Sequence, residues 1–111
     1  MEKAIKLSTI KGNANNGDKA RICIQRHDMA PYGFAIGSPI TITCDTDKGE
    51  IRIIASPDGK NRVSRVTDKR RGIDYQTIDI RIPQSERTAL FNNTERLAVY
   101  ATTGKLLIKA A

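Results

Sequence analysis

Ile22-Cys23-Ile24-Gln25 and, 58 residues further on, Ile80-Arg81-Ile82-Pro83 are the stretches whose reading decides the fold. In each, isoleucines alternate with other side chains, the period-two pattern of a half-buried strand. β-branched residues are stiff and pack well on a pleated surface. Working outward, the same order of features flanks both. Before the first lie a short alternating run, Ala4–Ile10 with Ile5 and Leu7, and a polar Gly/Asn-rich stretch, Lys11 to Asp18. After it come a short helix or turn over His27–Phe34, closed by Gly33, and an alternating run, Ile40–Cys44. A turn at Asp45-Thr46-Asp47-Lys48-Gly49 then leads into a return strand, Glu50–Ala55. Ser56-Pro57-Asp58-Gly59-Lys60 is a turn signal and the natural boundary.

Shifting the chain by 58 places Ile5 on Val63, Thr9 on Thr67, Lys11 on Lys69, Ile22 on Ile80 and Ile24 on Ile82. After one deletion Phe34 falls on Phe91, Ile40 on Leu97 and Ile42 on Val99; after two more, Gly49 falls on Gly104, Ile51 on Leu106 and Ile53 on Ile108. Deletions confined to loops are how a true internal repeat behaves. The expectation is a mainly β chain of two β-helix-β-β repeats, 1–57 and 58–111, fused into one compact domain. With no Trp, two Phe and three Tyr among 111 residues, its core has to be aliphatic.

Several function classes lose their raw material at this stage. His27 is the only histidine, so neither a metal cluster nor a His-paired nucleophile has partners. Gly12 and Gly17 lack the Gly-Lys-Ser/Thr ending of a phosphate loop, and Asp45 and Asp47 suit a turn without calcium-loop spacing. No enzyme activity and no cofactor are expected. Cys23 and Cys44 sit inside apolar runs without metal or redox spacing and read as small buried hydrophobes. Met1-Glu2-Lys3-Ala4-Ile5-Lys6 lacks a signal-peptide core, so a cytoplasmic protein with no membrane partner is expected.

Charge points the other way, towards a polyanion. The formal net charge is +7, and the sequence pI is near 9.7. Residues 1–57 carry a balance of +2 and residues 58–111 a balance of +5. Lys60, Arg62, Arg65, Lys69, Arg70 and Arg71 cluster against Asp68 alone, with Val63 and Val66 interleaved as strand residues. That is a strand and turn presenting cations, the footprint expected of a phosphate-binding surface. The five aromatics, Tyr32, Phe34, Tyr75, Phe91 and Tyr100, are too scattered for a single-strand stacking platform.

The second half, with Ile80-Arg81-Ile82-Pro83, Arg87, Leu90, Leu97-Ala98-Val99-Tyr100 and Gly104-Lys105-Leu106-Leu107-Ile108, resembles the unit of the AbrB/SpoVT/MazE superfamily. In the first half Gly33-Phe34-Ala35-Ile36-Gly37-Ser38-Pro39-Ile40 is similar to the SymE-like branch. Leu90-Phe91-Asn92 stands where Leu-Gly is usual, and Gln25 where the strand-ending Pro is usual. The resemblance implies a pseudo-symmetric swapped-hairpin, double-psi-like small barrel, closed here within one chain. It also implies DNA binding by basic residues ahead of the Ile-x-Ile strand. Those are Lys11, Lys19 and Arg21 in half one and Arg65, Lys69, Arg70 and Arg71 in half two, with Lys60 and Arg62 leading in. Asn13, Asn15 and Asn16 read first as turn residues and second as base or phosphate contacts.

The function expected is a basic nucleic-acid-binding module, DNA favoured over RNA, acting as a transcription regulator or antitoxin-like protein. The alternatives are a small protein-interaction or inhibitor protein of a mobile element and a SymE-like toxin directed at RNA. The residues leave open whether the chain forms a homodimer and whether its partner is a protein.

Overall fold

A computed structural model of the chain describes residues 4–11, 14–16, 19–25, 27–92, 94 and 96–111. The mainly β class is as expected. The strands are β1 (Ile5–Lys11), β2 (Ala14–Asn16), β3 (Lys19–Gln25), β4 (Pro39–Asp45), β5 (Glu50–Ala55), β6 (Asn61–Arg62), β7 (Ser64–Asp68), β8 (Ile73–Pro83), β9 (Arg96–Thr102) and β10 (Lys105–Ala110). A 3-10 helix spans His27–Tyr32, and an α-helix, α1, spans Gln84–Phe91.

All pairing is antiparallel, in a six-stranded sheet ordered β1-β9-β10-β5-β4-β6 and a four-stranded sheet ordered β2-β3-β8-β7. The order of the large sheet reverses onto itself when each hairpin strand is exchanged for its counterpart, with β1 and β6 at the two edges. The small sheet is symmetric only in its central β3–β8 pair, because the 58-residue shift carries β7 onto β1 and β2 onto the start of β8. In the small sheet Ile22 stands opposite Ile80, so the 58-residue shift maps that pair onto itself. In the large sheet Arg52 stands opposite Leu107, midway between the matched pairs Ile51↔Ile108 and Ile53↔Leu106. A pseudo-two-fold axis runs through both pairs. Each half's hairpin lies beside the other half's first strand: β9 beside β1, and β4 beside β6. The hairpins are thus exchanged, and burying one requires both halves.

Alternation explains the core. On β3, Ala20, Ile22 and Ile24 point inward while Lys19, Arg21 and Gln25 point out. Ile78, Ile80 and Ile82 do the same on β8, and Ile40, Ile51, Ile53, Leu97, Val99, Leu106 and Ile108 meet them from the large sheet. Each such side chain, fully buried, contributes about 1.5–3 kcal/mol. Phe34 and Phe91, matched by the repeat, are both in this core.

Three expectations need correction. The strands do not close a barrel; among the described residues they form two open sheets packed face to face. The chain changes sheets at Val63, between β6 and β7, where its backbone N–H donates to Ser38 O (3.0 Å) and its carbonyl accepts from Gly37 N (2.8 Å). Strands that switch sheets at a corner leave the ladder interrupted there. Each half also holds more strands than a β-helix-β-β unit. The polar stretch before β3 includes β2, carrying Asn15 and Asn16, because a paired neighbour overrides weak strand propensity. Asn13, Gly12 and Gly17 lie outside the described residues.

The connection between halves is fixed sterically. A Cβ on Gly59 would lie 2.4 Å from Ile40 O and 2.6 Å from Ile40 N, both backbone atoms that cannot move aside. Only glycine lets the 56–59 turn pack on β4, and that packing sets where Lys60 and β6 begin. Among the described residues, no helix is long and apolar enough to cross a membrane.

Candidate nucleic-acid interface

The cations of the second half are mounted on a ribbon. Past the Gln25↔Thr77 pair β3 ends, and β8 continues with β7 as its strand neighbour through Arg65↔Gln76, Val66↔Tyr75, Thr67↔Asp74 and Asp68↔Ile73. Asp68 builds the turn at its tip. Its Oδ1 accepts from the backbone N–H of Arg70 (3.0 Å) and Arg71 (3.3 Å), and its Oδ2 from the Tyr75 hydroxyl (3.3 Å). Gly72, with φ +65°, closes the turn by donating to Asp68 O (2.8 Å).

The carboxylate closest in sequence to the cations is therefore occupied by the turn itself. Arg71 Nε reaches it only at 3.9 Å with its side chain 74% exposed. Among the described residues, Lys69 and Arg70 have no side-chain counter-ion. Arg65 leans on Asp74 (3.7 Å), whose other oxygen accepts from Thr67 Oγ1 (2.8 Å).

A second cluster occupies the outward face of the small sheet. Arg21 and Arg81 are directly opposite across β3 and β8. Like charges in that relation repel. Asp79 relieves them: its Oδ1 accepts from Arg21 Nε at 3.0 Å, and its Oδ2 lies 3.5 Å from an Arg81 Nη. The hydrogen bond and then the charge of Asp79 raise the Arg21 pKa further above its ordinary value. Lys19 is exposed on the same face, two residues from Arg21. Beside this cluster a groove of about 410 Å³ runs between β6 and β8, with Lys60 and Arg62 on one wall and Asp79 on the other. An Arg62 Nη donates to Gly37 O (3.0 Å), which anchors the guanidinium at the mouth of the corner.

Sequence reasoning expected matching basic loops ahead of each Ile-x-Ile strand. The structure does not bring those loops together. The start of β3 and the β7–β8 turn lie at opposite ends of the small sheet, because β3 and β8 run antiparallel. Ten residues of β8 separate them, about 33 Å at 3.3 Å per residue. What is gathered instead is Arg21, Lys60 and Arg62 around Asp79, with Lys19 further along the same face of β3 and Lys69, Arg70 and Arg71 about 20 Å away at the ribbon tip. Lys11 ends β1, and its side chain lies outside the described residues, as do those of Asn15, Asn16 and His27.

Arg81 and Asp79 were missed. Outward alternation on β8 marks both, and the 58-residue shift already aligns Asp79 with Arg21. On the large sheet two cations of the β5–β10 pair are neutralised by carboxylates. Arg52 pairs with Glu50 (2.7 Å) and Asp45 (3.2 Å), and Lys109 lies 3.7 Å from Glu50. Cys23 and Cys44 are free and half-buried. Burial, then the neighbouring Glu86 charge and hydrogen bond, push the Cys44 thiol up to about 11.

In comparison with known proteins, the chain matches no family model, no curated protein and no solved structure.

Proposed function

We propose that the chain is a basic, non-catalytic nucleic-acid-binding module of AbrB-like plan, DNA favoured over RNA, of the kind used by transcription regulators and antitoxins. The observation that carries this reading is the ribbon tip. Asp68 is spent on backbone N–H groups and on Tyr75, so Lys69 and Arg70 project without a counter-ion among the described residues. Cations held this way gain most from phosphate, because binding releases condensed counterions without first breaking an internal ion pair. A two-stranded ribbon also has the cross-section that the DNA major groove admits, which favours duplex DNA.

Fluorescence anisotropy with duplex DNA, single-stranded DNA and RNA at about 50 and about 200 mM salt tests the reading. Replacing Lys69, Arg70 and Arg71 together by Ala removes up to three phosphate contacts. The slope of log affinity against log salt then becomes shallower by about 2.7 for duplex DNA. Absence of binding to every nucleic acid at the lower salt refutes the proposal and returns the question to a protein partner.

A further inference from the structure

We propose that the groove between β6 and β8 is a discrete seat for a single phosphate group, separate from the ribbon tip; this rests on the nucleic-acid reading above. The cavity is concave, about 410 Å³, and its walls carry Lys60, Asn61, Arg62, Ser64 and Asp79 with Ile42 among its apolar lining. That is the size range of small-ligand sites, in which a few convergent polar groups fix orientation against apolar walls.

The charge balance around it is unresolved within the protein. Lys60 and Arg62 stand on one wall, and Arg21 and Arg81 flank the other. Asp79 is the acid bonded to that pair, and among the described residues Lys60 has no counter-ion. Four cations against one carboxylate leave a local excess of positive charge that one dianion largely neutralises. The donor set suits a phosphate. A guanidinium offers planar paired N–H groups, an ammonium offers a compact charge, and a hydroxyl and an amide can complete the shell.

The wall is also fixed before any ligand arrives. Gly59 packs on the Ile40 backbone, Val63 is pinned to Gly37 and Ser38, and Arg62 is held by Gly37 O. A fixed seat avoids the ordering cost that flexible lysines on an open face incur. Asp79 repels the anion from the β8 wall, so the phosphate sits towards Lys60 and Arg62. The same chemistry comes from two sources, a terminal phosphomonoester or a phosphodiester within a strand.

Two-dimensional amide NMR of the full chain separates these. Inorganic phosphate, added at constant ionic strength, shifts the amides of Lys60–Ser64 and Asp79 saturably. Lys60→Gln, which spares the Arg62 anchor, weakens that affinity by about tenfold; Arg62→Ala does the same if the corner stays folded. The triple Ala variant at 69–71 leaves it unchanged. One single-stranded oligonucleotide is then compared with and without a 5′-phosphate. Tighter binding of the phosphorylated form, with the same shifts, assigns the seat to a strand end. Equal binding with those shifts assigns it to the backbone. Phosphate shifts centred on 69–71, or unaffected by Lys60→Gln, overturn the seat while leaving the nucleic-acid reading intact. Phosphate bound at the groove with no oligonucleotide retained supports the seat and refutes the wider reading.

Discussion

Asp79→Asn is the substitution that most directly tests how the small sheet is used. The carboxylate sits between Arg21 and Arg81, at 3.0 and 3.5 Å, and is about one-third exposed. Asparagine keeps the shape and a carbonyl acceptor for Arg21 while deleting the charge. Exposed ion pairs contribute little to folding, so the thermal midpoint stays close to that of the parent. The ligand, however, no longer meets a negative charge. A phosphate about 6 Å from Asp79 is opposed by about 0.7 kcal/mol at a dielectric of 80 and about 3 kcal/mol at 20. Physiological salt, with a Debye length of about 8 Å, roughly halves either figure. A site this exposed lies towards the high-dielectric end, which leaves about 0.5–1 kcal/mol, a two- to fivefold gain in affinity at about 150 mM salt. Two arginines released from Asp79 also steepen the salt dependence, by about 0.9 for each that reaches a phosphate. Anisotropy titrations on one oligonucleotide at several salt concentrations read both quantities. Unchanged affinity in a folded variant shows that no phosphate comes near Asp79. Weaker binding shows that the carboxylate holds the arginines in the geometry the ligand needs; either result refutes the electrostatic argument.

Three further outcomes follow from local geometry. Asn92 ends α1 at φ 52° and ψ −130°, a conformation that favours glycine; Asn92→Gly relieves about 1 kcal/mol and raises the thermal midpoint by about 4 °C, read by calorimetry. Gly59→Ala drives a methyl into the Ile40 backbone and costs about 3 kcal/mol, a fall in midpoint on the order of 10 °C; an unchanged midpoint removes the steric account of the inter-half turn. Cys44, with its thiol pushed up to about 11 from an ordinary value of 9.0, reacts with a thiolate-selective disulfide reagent about 100-fold more slowly at neutral pH than an unperturbed thiol. Because the folded chain holds that proton longer than the unfolded chain, Cys44 makes stability fall as pH rises from about 9 to about 11, and Cys44→Ala makes that fall shallower.

Much of the scaffold was legible because it rests on period-two patterning. Ile22, Ile24, Ile80 and Ile82 declare their face, and the 58-residue shift narrows the register to symmetric choices. An antiparallel pair lying on a two-fold must be centred on equivalent residues; Cys23↔Arg81 or Ile24↔Ile82 would satisfy that as well, and the structure selects Ile22↔Ile80. The turn at 56–60 and the strand-turn reading of 60–71 follow from Gly, Pro and charge in the same way. What escaped was non-local. β2 has no pattern of its own, and its pairing with β3 decides it. Barrel closure depends on how the chain turns the corner at Val63, which the two hydrogen bonds to 37 and 38 determine and no local motif records. The Arg21–Asp79–Arg81 cluster was hidden for a related reason. Its members are distant in sequence, and only the β3–β8 register sets them side by side.

The pseudo-two-fold bears on what kind of nucleic-acid site this chain suits. A symmetric dimer reads a palindromic site because equal half-surfaces meet equal half-sites. Here the axis lies within one chain, and the central strand pairs obey it more closely than the charges do. It carries Arg21 onto Asp79, Cys23 onto Arg81 and Arg52 onto Leu107. The half-one helix is a 3-10 turn containing Pro31, whereas its half-two counterpart is a regular α-helix. Once both copies lie in one polypeptide, each position is free to change without altering its mate. The exchanged hairpins hold the halves together while their surfaces diverge. On the proposed function, the consequence is a polar footprint. The ribbon tip at 69–71 and the groove's cations, Lys60 and Arg62, all belong to the second half, so protection of a bound duplex from cleavage extends further to one side of the contact centre than to the other. A footprint with two-fold symmetry requires two chains, and would place the functional axis between molecules rather than through Ile22 and Ile80.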